Sequence, residues 1–349
     1  MKSKSKKSLF NDITSLSEIG EFGLIDRVAQ LFREGEEDNR LGIGDDCAVL
    51  PSGDGSSLLV TTDMLIENRH FRMDWIDPED LGYKALAVNI SDISAMGGAP
   101  EFAFLSLGLH SDISTEWLDR FFRGTRELSA IHDIKLMGGD TTKSPSDMVI
   151  SYTLLGLMDQ SKVLLRSGAR PGDKIALLGK VGESGAGLKL LAEKELNGNS
   201  KYQSLVKAHN RPKLFVREAQ YLAEFNAVHS MIDLSDGIQS DARHIANRSG
   251  AELIIDLDLL PLSSTLTGFC NEYSCSATEL ALTSGEDYGL LFTLSGEKAG
   301  IIRKQFTEQF GYSFHLIGEV AEGDPAVNYT KKGRPFKIEK QGFDHFKTK

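Results

Sequence analysis

The chain has 349 residues, 40% hydrophobic and 26% charged with 34 glycines, which places it among turn-rich globular proteins with room for about two domains and excludes a disordered or fibrous one. A net charge of -11 argues against a nucleic-acid binder and makes any anionic ligand acceptable only if cations mediate its binding. Cys47, Cys270 and Cys275 form no C-x-x-C pair, so neither a zinc knuckle nor a disulfide framework is indicated, and a reducing cytoplasm is the simplest reading.

The opening stretch, MKSKSKKSLFNDITSLSE, is basic and serine-rich but lacks the apolar core of a signal peptide, so residues 1–18 are expected to be a flexible tail. No window approaches the ~18 apolar residues of a membrane span. Helical spacing follows from Ile19 to Phe32, then short β-rich runs at Cys47–Leu50 and Leu58–Thr62. Asp77-Pro78-Glu79-Asp80 supplies an N-cap, a proline at the first helical position and two carboxylates in the first turn, which predicts a long helix from Pro78 to about Met96. Gly97-Gly98-Ala99-Pro100 ends it. A strand is expected at Phe102–Leu109, a helix at Thr115–Ile131, a short strand at Ile134–Met137 and another strand at Met148–Leu157.

Glycine, proline and charge crowd together from Arg166 to Asp173, a breaker that sets the boundary between an N-terminal α/β domain, 19–165, and a C-terminal one, 166–349. Beyond it the pattern predicts a strand at Lys174–Leu178, a helix opening after Gly182, helices near 214–225 and 239–248, and strands near 229–232, 252–257, 288–294 and 314–319. Strands and helices mix in both halves, so the fold class is α/β, with α+β mixing.

The chemistry lies in the placement of carboxylates. "GIGDDCAVL" sets Asp45 and Asp46 at the entry to a strand. Asp63 ends the run Leu58 to Thr62, where it is either an oxygen ligand for a hard cation or a cap on the next turn. Asp92 follows Leu81, Ala85 and Val88 at helical spacing, so it lies on an apolar stripe and must be a metal ligand or one half of a buried ion pair. Asp140 comes directly after Gly138-Gly139, at what reads as a strand end, where missing Cβ atoms admit a ligand. Asp233 and Asp236 flank Ser235 at a strand-to-helix turn that aims backbone N–H groups at an anion. With Glu286 in "TSGEDYG", the recurrence implies a nucleoside triphosphate bridged by more than one magnesium ion. No P-loop, HRD or DFG motif is present, and no nucleophile is convincing, Cys47 reading as a packed hydrophobe.

In chain order stand "GIGDDCAVL", "TTDMLIENRHF", "YKALAVNISDISAMGGAP", "MGGDTT", "RSGARPGD", "IDLSDGIQSD", "SGEDY" and "GFDHF". From about Gly20 to Phe346 this series resembles the thiamine-monophosphate kinases, of the superfamily that includes aminoimidazole ribonucleotide synthetase. The resemblance implies a two-domain architecture of that superfamily, homodimeric through the N-terminal sheet. It also implies ATP-dependent conversion of thiamine monophosphate to thiamine diphosphate, the last step in making that cofactor. Carried over by position, Asp46, Thr61, Thr62, Asp63, Asp92, Asp140, Asp233 and Asp236 would be magnesium ligands, direct or through water, with Asp63, Asp92, Asp140 and Asp233 central to catalysis. Gly139, Asp140, Arg166 and Ser235 would fall in the ATP site, and His70, Glu286 and Phe343 would contact thiamine monophosphate. Asp45 matches no liganding position. The family's tyrosine near the nucleotide is not matched either, Ile131 and His132 standing there instead.

An ionised phosphate monoester needs no general base, so direct transfer without a phosphoenzyme is expected. A purine-pathway ring-closing synthetase is the alternative enzyme, and a non-catalytic binder of magnesium and nucleotide is the alternative of another class.

Overall fold

The protein is described here by a computed structural model covering residues 16–32, 41–53, 55–193 and 200–338. Helix α1 (Leu16–Phe32) begins two residues before the expected end of the tail and is broken at Gly20; residues 1–15 lie outside the described residues.

Alternating runs in the first half give strands β1 (Ala48–Pro51), β2 (Ser56–Ile66), β3 (Ala99–Leu109), β4 (Lys135–Lys143) and β5 (Val149–Asp159). They pair in the order β1-β2-β5-β3-β4, antiparallel except for β3 with β4. A parallel pair needs a crossover, and α3 (Thr115–His132) supplies it.

The second half gives β6 (Asp173–Leu178), β7 (Val228–Asp233), β8 (Glu252–Asp256), β9 (Leu290–Ser295), β10 (His315–Ala321), β11 (Ala326–Lys331) and β12 (Arg334–Phe336). Their order is β12-β11-β8-β10-β6-β9-β7. The helices of this half are α4 (Glu183–Ala192), α5 (Gln203–Asn210), α6 (Val216–Ala223), α7 (Ile238–Ser249), α8 (Ser264–Glu272), α9 (Ala277–Thr283) and α10 (Ala299–Phe310). Because strand side chains alternate, Ile175 and Leu177 enter a core with Ile238 and Ile245 of α7, while Ala176 and Leu178 enter another with Leu222 of α6 and Phe306 of α10. The sheet is therefore covered on both faces, and the fold is mixed α/β.

The element that positions the site is α2 (Pro78–Ala95). Asp77 caps it by accepting the Glu79 N–H (2.9 Å), Pro78 opens it, and Gly97 in the left-handed region (φ 78°) follows its end. It packs on β2, β3 and β5 with one side and against β7, α5 and α6 with another, so it is enclosed on nearly all faces. Its polar residues Lys84, Asn89, Ser91 and Ser94 are consequently buried and must find partners inside.

One strand differs from the sequence expectation. β4 does not stop at Met137 but runs through Gly138, Gly139 and Asp140 to Lys143, and all nine of its residues are exposed. Gly139 is required because a Cβ there would sit 1.7 Å from the Leu105 carbonyl of β3.

Candidate active site

Strand alternation in β2 turns Thr61 and Asp63 toward α2 and Thr62 and Met64 toward the open face of the sheet. On the α2 side, the Thr61 hydroxyl donates to Asp92 Oδ2 (2.5 Å), and the Asp63 N–H donates to the Asn89 side-chain oxygen (3.1 Å). The neighbouring Ser91 hydroxyl donates to Asp233 Oδ2 at the end of β7 (2.6 Å). The adjacent pair Ser91-Asp92 therefore addresses both sheets at once. Asp46, just before β1, completes the group: Asp46, Asp92 and Asp233 each offer a carboxylate oxygen, and these atoms lie within 4.8 Å of one another.

Such crowding is electrostatically costly. Burial pushes Asp233 up to about 8, with Asp46 adding to the rise, and burial pushes Asp63 up to about 6. Asp92 stands well above the ordinary carboxylate range through burial and the charges of Asp63, Asp233 and Asp46. Asp46 is raised by burial against the opposing pull of Arg166, whose guanidinium lies 2.6 Å from Asp46 Oδ1. Burial disfavours the charge on Arg166, but Asp46 outweighs it and holds the guanidinium firmly protonated.

Asp46 Oδ2 is buried and has no hydrogen-bond partner among the described residues. A buried, unpartnered carboxylate oxygen beside two further carboxylates is a donor set that a hard divalent cation satisfies and that water-soluble surface acids do not provide. The residues present therefore fit magnesium.

Asp45, which matched no liganding position, accepts the backbone N–H of Asp46 (3.1 Å) and, through both oxygens, the backbone N–H of Arg166 (3.2 Å each). It staples the first strand's entry to the segment that leads into the second half. Ser91 and Asn89 were likewise missed; their signal was polar residues inside an otherwise apolar helix.

The remaining sites divide. Ser235 and Asp236 follow Asp233 in the turn before α7, and the Ser235 carbonyl accepts the Glu286 N–H (2.8 Å). His70 accepts the Ile66 N–H on Nδ1 (3.0 Å), and its imidazole lies near enough to Glu286 to favour the charged carboxylate. Thr62 and Asp140 are not brought to the cluster. Asp140 shares with Met64, Ser106 and Ser151 a row on the open face, lining a shallow cavity of about 340 Å³, while Thr62 on that face donates to the Tyr152 carbonyl (3.0 Å). The sheet thus separates them from Asp63 and Asp92 within one chain. Phe343 lies outside the described residues.

Residues 44–158 match the family described as AIR synthase related protein, N-terminal domain, and residues 170–329 match its C-terminal domain. Thiamine-monophosphate kinase of Escherichia coli (strain K12) is 38% identical over 330 residues, spanning 94% of this chain and 99% of that protein. That of Bacillus subtilis (strain 168) is 34% identical over 314 residues, spanning 88% and 94%. Among solved structures, AaThiL complexed with AMPPCP and TMP superposes with a TM-score of 0.83 at 33% identity, covering 95% of this chain and 99% of that one. Thiamine monophosphate kinase from Aquifex aeolicus gives a TM-score of 0.78 at 31% identity, covering 93% and 99%. With both halves matched and relatives aligned almost from end to end, the chain belongs to the thiamine-monophosphate kinase family of AIR synthase related proteins.

Proposed function

We propose that the protein transfers the γ-phosphoryl group of ATP to the phosphate of thiamine monophosphate, giving thiamine diphosphate and ADP. The observation that carries this reading is the group of Asp46, Asp92 and Asp233, buried or half-buried, with Asp46 Oδ2 unpartnered among the described residues, joined through the Ser235–Glu286 hydrogen bond to the loop assigned to the acceptor. The structural relative bound to AMPPCP and TMP supports the choice of substrates.

The acceptor oxygen belongs to a phosphate monoester with a second pKa near about 6, so it is largely ionised at neutral pH and needs no base. No side chain is needed as a nucleophile either; Cys47, nearest to the acids, is buried and its thiol is pushed well above its ordinary range. What the protein must overcome is repulsion between two polyanions. Asp46, Asp63, Asp92, Asp233 and Asp236, with Thr61, would hold magnesium, which when bound neutralises phosphate oxygens and aligns donor and acceptor. Arg166, already charged beside the cluster, supplies a fixed cation to the polyphosphate, and Ser235 at the turn before α7 offers polar contact to it. Glu286 and His70 face the acceptor, Glu286 giving a negative partner to the cationic thiazolium.

The reading further makes the protein a cytoplasmic homodimer of two-domain chains, 19–165 and 166–349. The open face of the five-stranded sheet, with exposed Met64 and Phe104, supports association there, and Asp140, Thr62 and Gly139 would then lie in or beside the dimer interface. Among the described residues no helix is long and apolar enough to cross a membrane.

Incubation of the purified protein with magnesium, ATP and thiamine monophosphate, followed by chromatography, should yield thiamine diphosphate and ADP in equal amounts. Folded protein that binds nucleotide yet forms no thiamine diphosphate would refute the activity.

A further inference from the structure

Lys84 is a lysine that the fold encloses: it lies one turn into α2 between Leu81 and Ala85 and is 1% exposed. An ammonium so buried needs partners, and it has two, both from the other half of the chain. Its Nζ donates to Glu286 Oε2 (3.1 Å) and lies 3.3 Å from His209 Nε2. Since an ammonium only donates, His209 Nε2 accepts, which puts the imidazole proton on Nδ1. Nδ1 is 3.1 Å from the same Glu286 Oε2 and 3.0 Å from the Ser184 hydroxyl at the start of α4. Burial and the neighbouring Lys84 push His209 down to about 4, in keeping with a neutral ring.

The Lys84 ammonium thus donates to one oxygen of Glu286, with His209 Nδ1 close beside that oxygen, and Oε1 takes no hydrogen bond from Lys84. The backbone is held as firmly. Glu286 (φ 55°) and Tyr288 (φ 49°) are both non-glycine residues in the left-handed region, a costly conformation that persists only when surroundings over-determine it. Those surroundings are visible: the Glu286 and Tyr288 N–H groups donate to the Ser235 and Leu234 carbonyls, and Asp287 between them accepts the Gly182 and Ser184 N–H groups that open α4. His209 is placed with equal care, because Arg211 two residues on pairs with Asp80 and Glu127 (3.1 and 2.5 Å) and lies over the Tyr83 ring, all on α2 and α3.

A buried ion pair is a weak device for stability, since well-packed apolar groups do as well or better. Its distinctive effect is direction. We propose that Lys84, itself seated against His209, is a positioning residue that fixes the Glu286 carboxylate toward thiamine monophosphate, so that the acceptor site is complete only while α2 is packed against the second half of the chain. The proposal rests on the assignment of Glu286 to that substrate.

Steady-state kinetics on Lys84→Met, Glu286→Gln and the double variant test both statements separately. Glu286→Gln is expected to raise KM for thiamine monophosphate roughly tenfold or more, the loss of a charge-assisted contact. Lys84→Met should raise the same KM by a similar factor while KM for ATP and kcat stay within about threefold. In the Glu286→Gln background, Lys84→Met should add nothing, because the lysine acts through the glutamate. An unchanged KM in Lys84→Met alongside a raised one in Glu286→Gln overturns the positioning role and leaves the substrate assignment standing. Multiplying effects in the double variant overturn it as well, since a general packing defect would behave so. An unchanged KM in Glu286→Gln overturns the assignment and the proposal with it. If Lys84→Met alone does not fold, the double variant, which removes both charges together, carries the comparison with Glu286→Gln.

Discussion

At the scale of single residues, Asp46, Asp92 and Asp233 form a site that destabilises the protein lacking metal. Asp63, Asp45 and Asp233 have folded-state values raised to about 6, 7 and 8, in each case by burial first. The folded chain therefore binds more protons than the unfolded chain from about pH 4 to about pH 8, and its stability without metal falls as pH rises through that window. Magnesium requires the ionised carboxylates and reverses the trend, so the rise in melting temperature on adding magnesium is expected to grow from pH 6 to pH 8. A magnesium shift that is absent, or that shrinks as pH rises, would remove the metal from this site. Asp92→Asn should separate stability from activity: it relieves repulsion, so the metal-free melting temperature at pH 8 should rise, while turnover should fall by about two orders of magnitude or more. Thermal melts with and without magnesium, paired with the product assay, decide it. Acids 46, 92 and 233 were singled out by their places at strand ends and on an apolar stripe, and the structure brings their oxygens within 4.8 Å of one another. The tie from Asp45 to Arg166 was not legible, because a carboxylate that accepts a backbone N–H from 121 positions away leaves no local mark.

At the scale of elements, the helix that organises the site was the most legible one, since capping is local chemistry: Asp77, Pro78 and Gly97 are where the caps demand. Its fit against α3 was less so. A Cβ at Gly82 would sit 1.9 Å from the Phe121 carbonyl, and one at Gly124 would sit 1.7 Å from the Glu79 carbonyl. The two helices touch backbone to backbone through reciprocal glycines. Gly124→Ala is expected to cost about 1–3 kcal/mol, read as a lower denaturation midpoint with an unchanged slope, because backbone atoms cannot yield as a flexible side chain can. An unaffected midpoint would show that the helices can separate freely. β4 was read short for the opposite reason. With all nine residues exposed it has no apolar alternation, and the pairing with β3 that extends it to Lys143 is a tertiary fact.

At the scale of the whole molecule, the open face of the five-stranded sheet is the feature that a single chain leaves unused. Met64 and Phe104 are 52% and 40% exposed on it. If the proposed dimer forms there, sedimentation should give twice the 38.3 kDa chain mass, and Phe104→Glu should shift it toward the monomer. A dimer untouched by that charge would locate the interface elsewhere. By itself, the sequence determined the ordered series of acidic turns, the capped helix between them and hence the family, because glycine turns, caps and periodicity are properties of a few neighbouring residues. Only the tertiary structure decided which acids stand together within one chain and which do not. It gathered Asp46, Asp92 and Asp233 by laying α2 against both sheets, left Asp140 and Thr62 on the other face, and set Lys84 and His209 on Glu286. Distances between residues remote in the chain depend on how whole elements pack, and no local spacing encodes them.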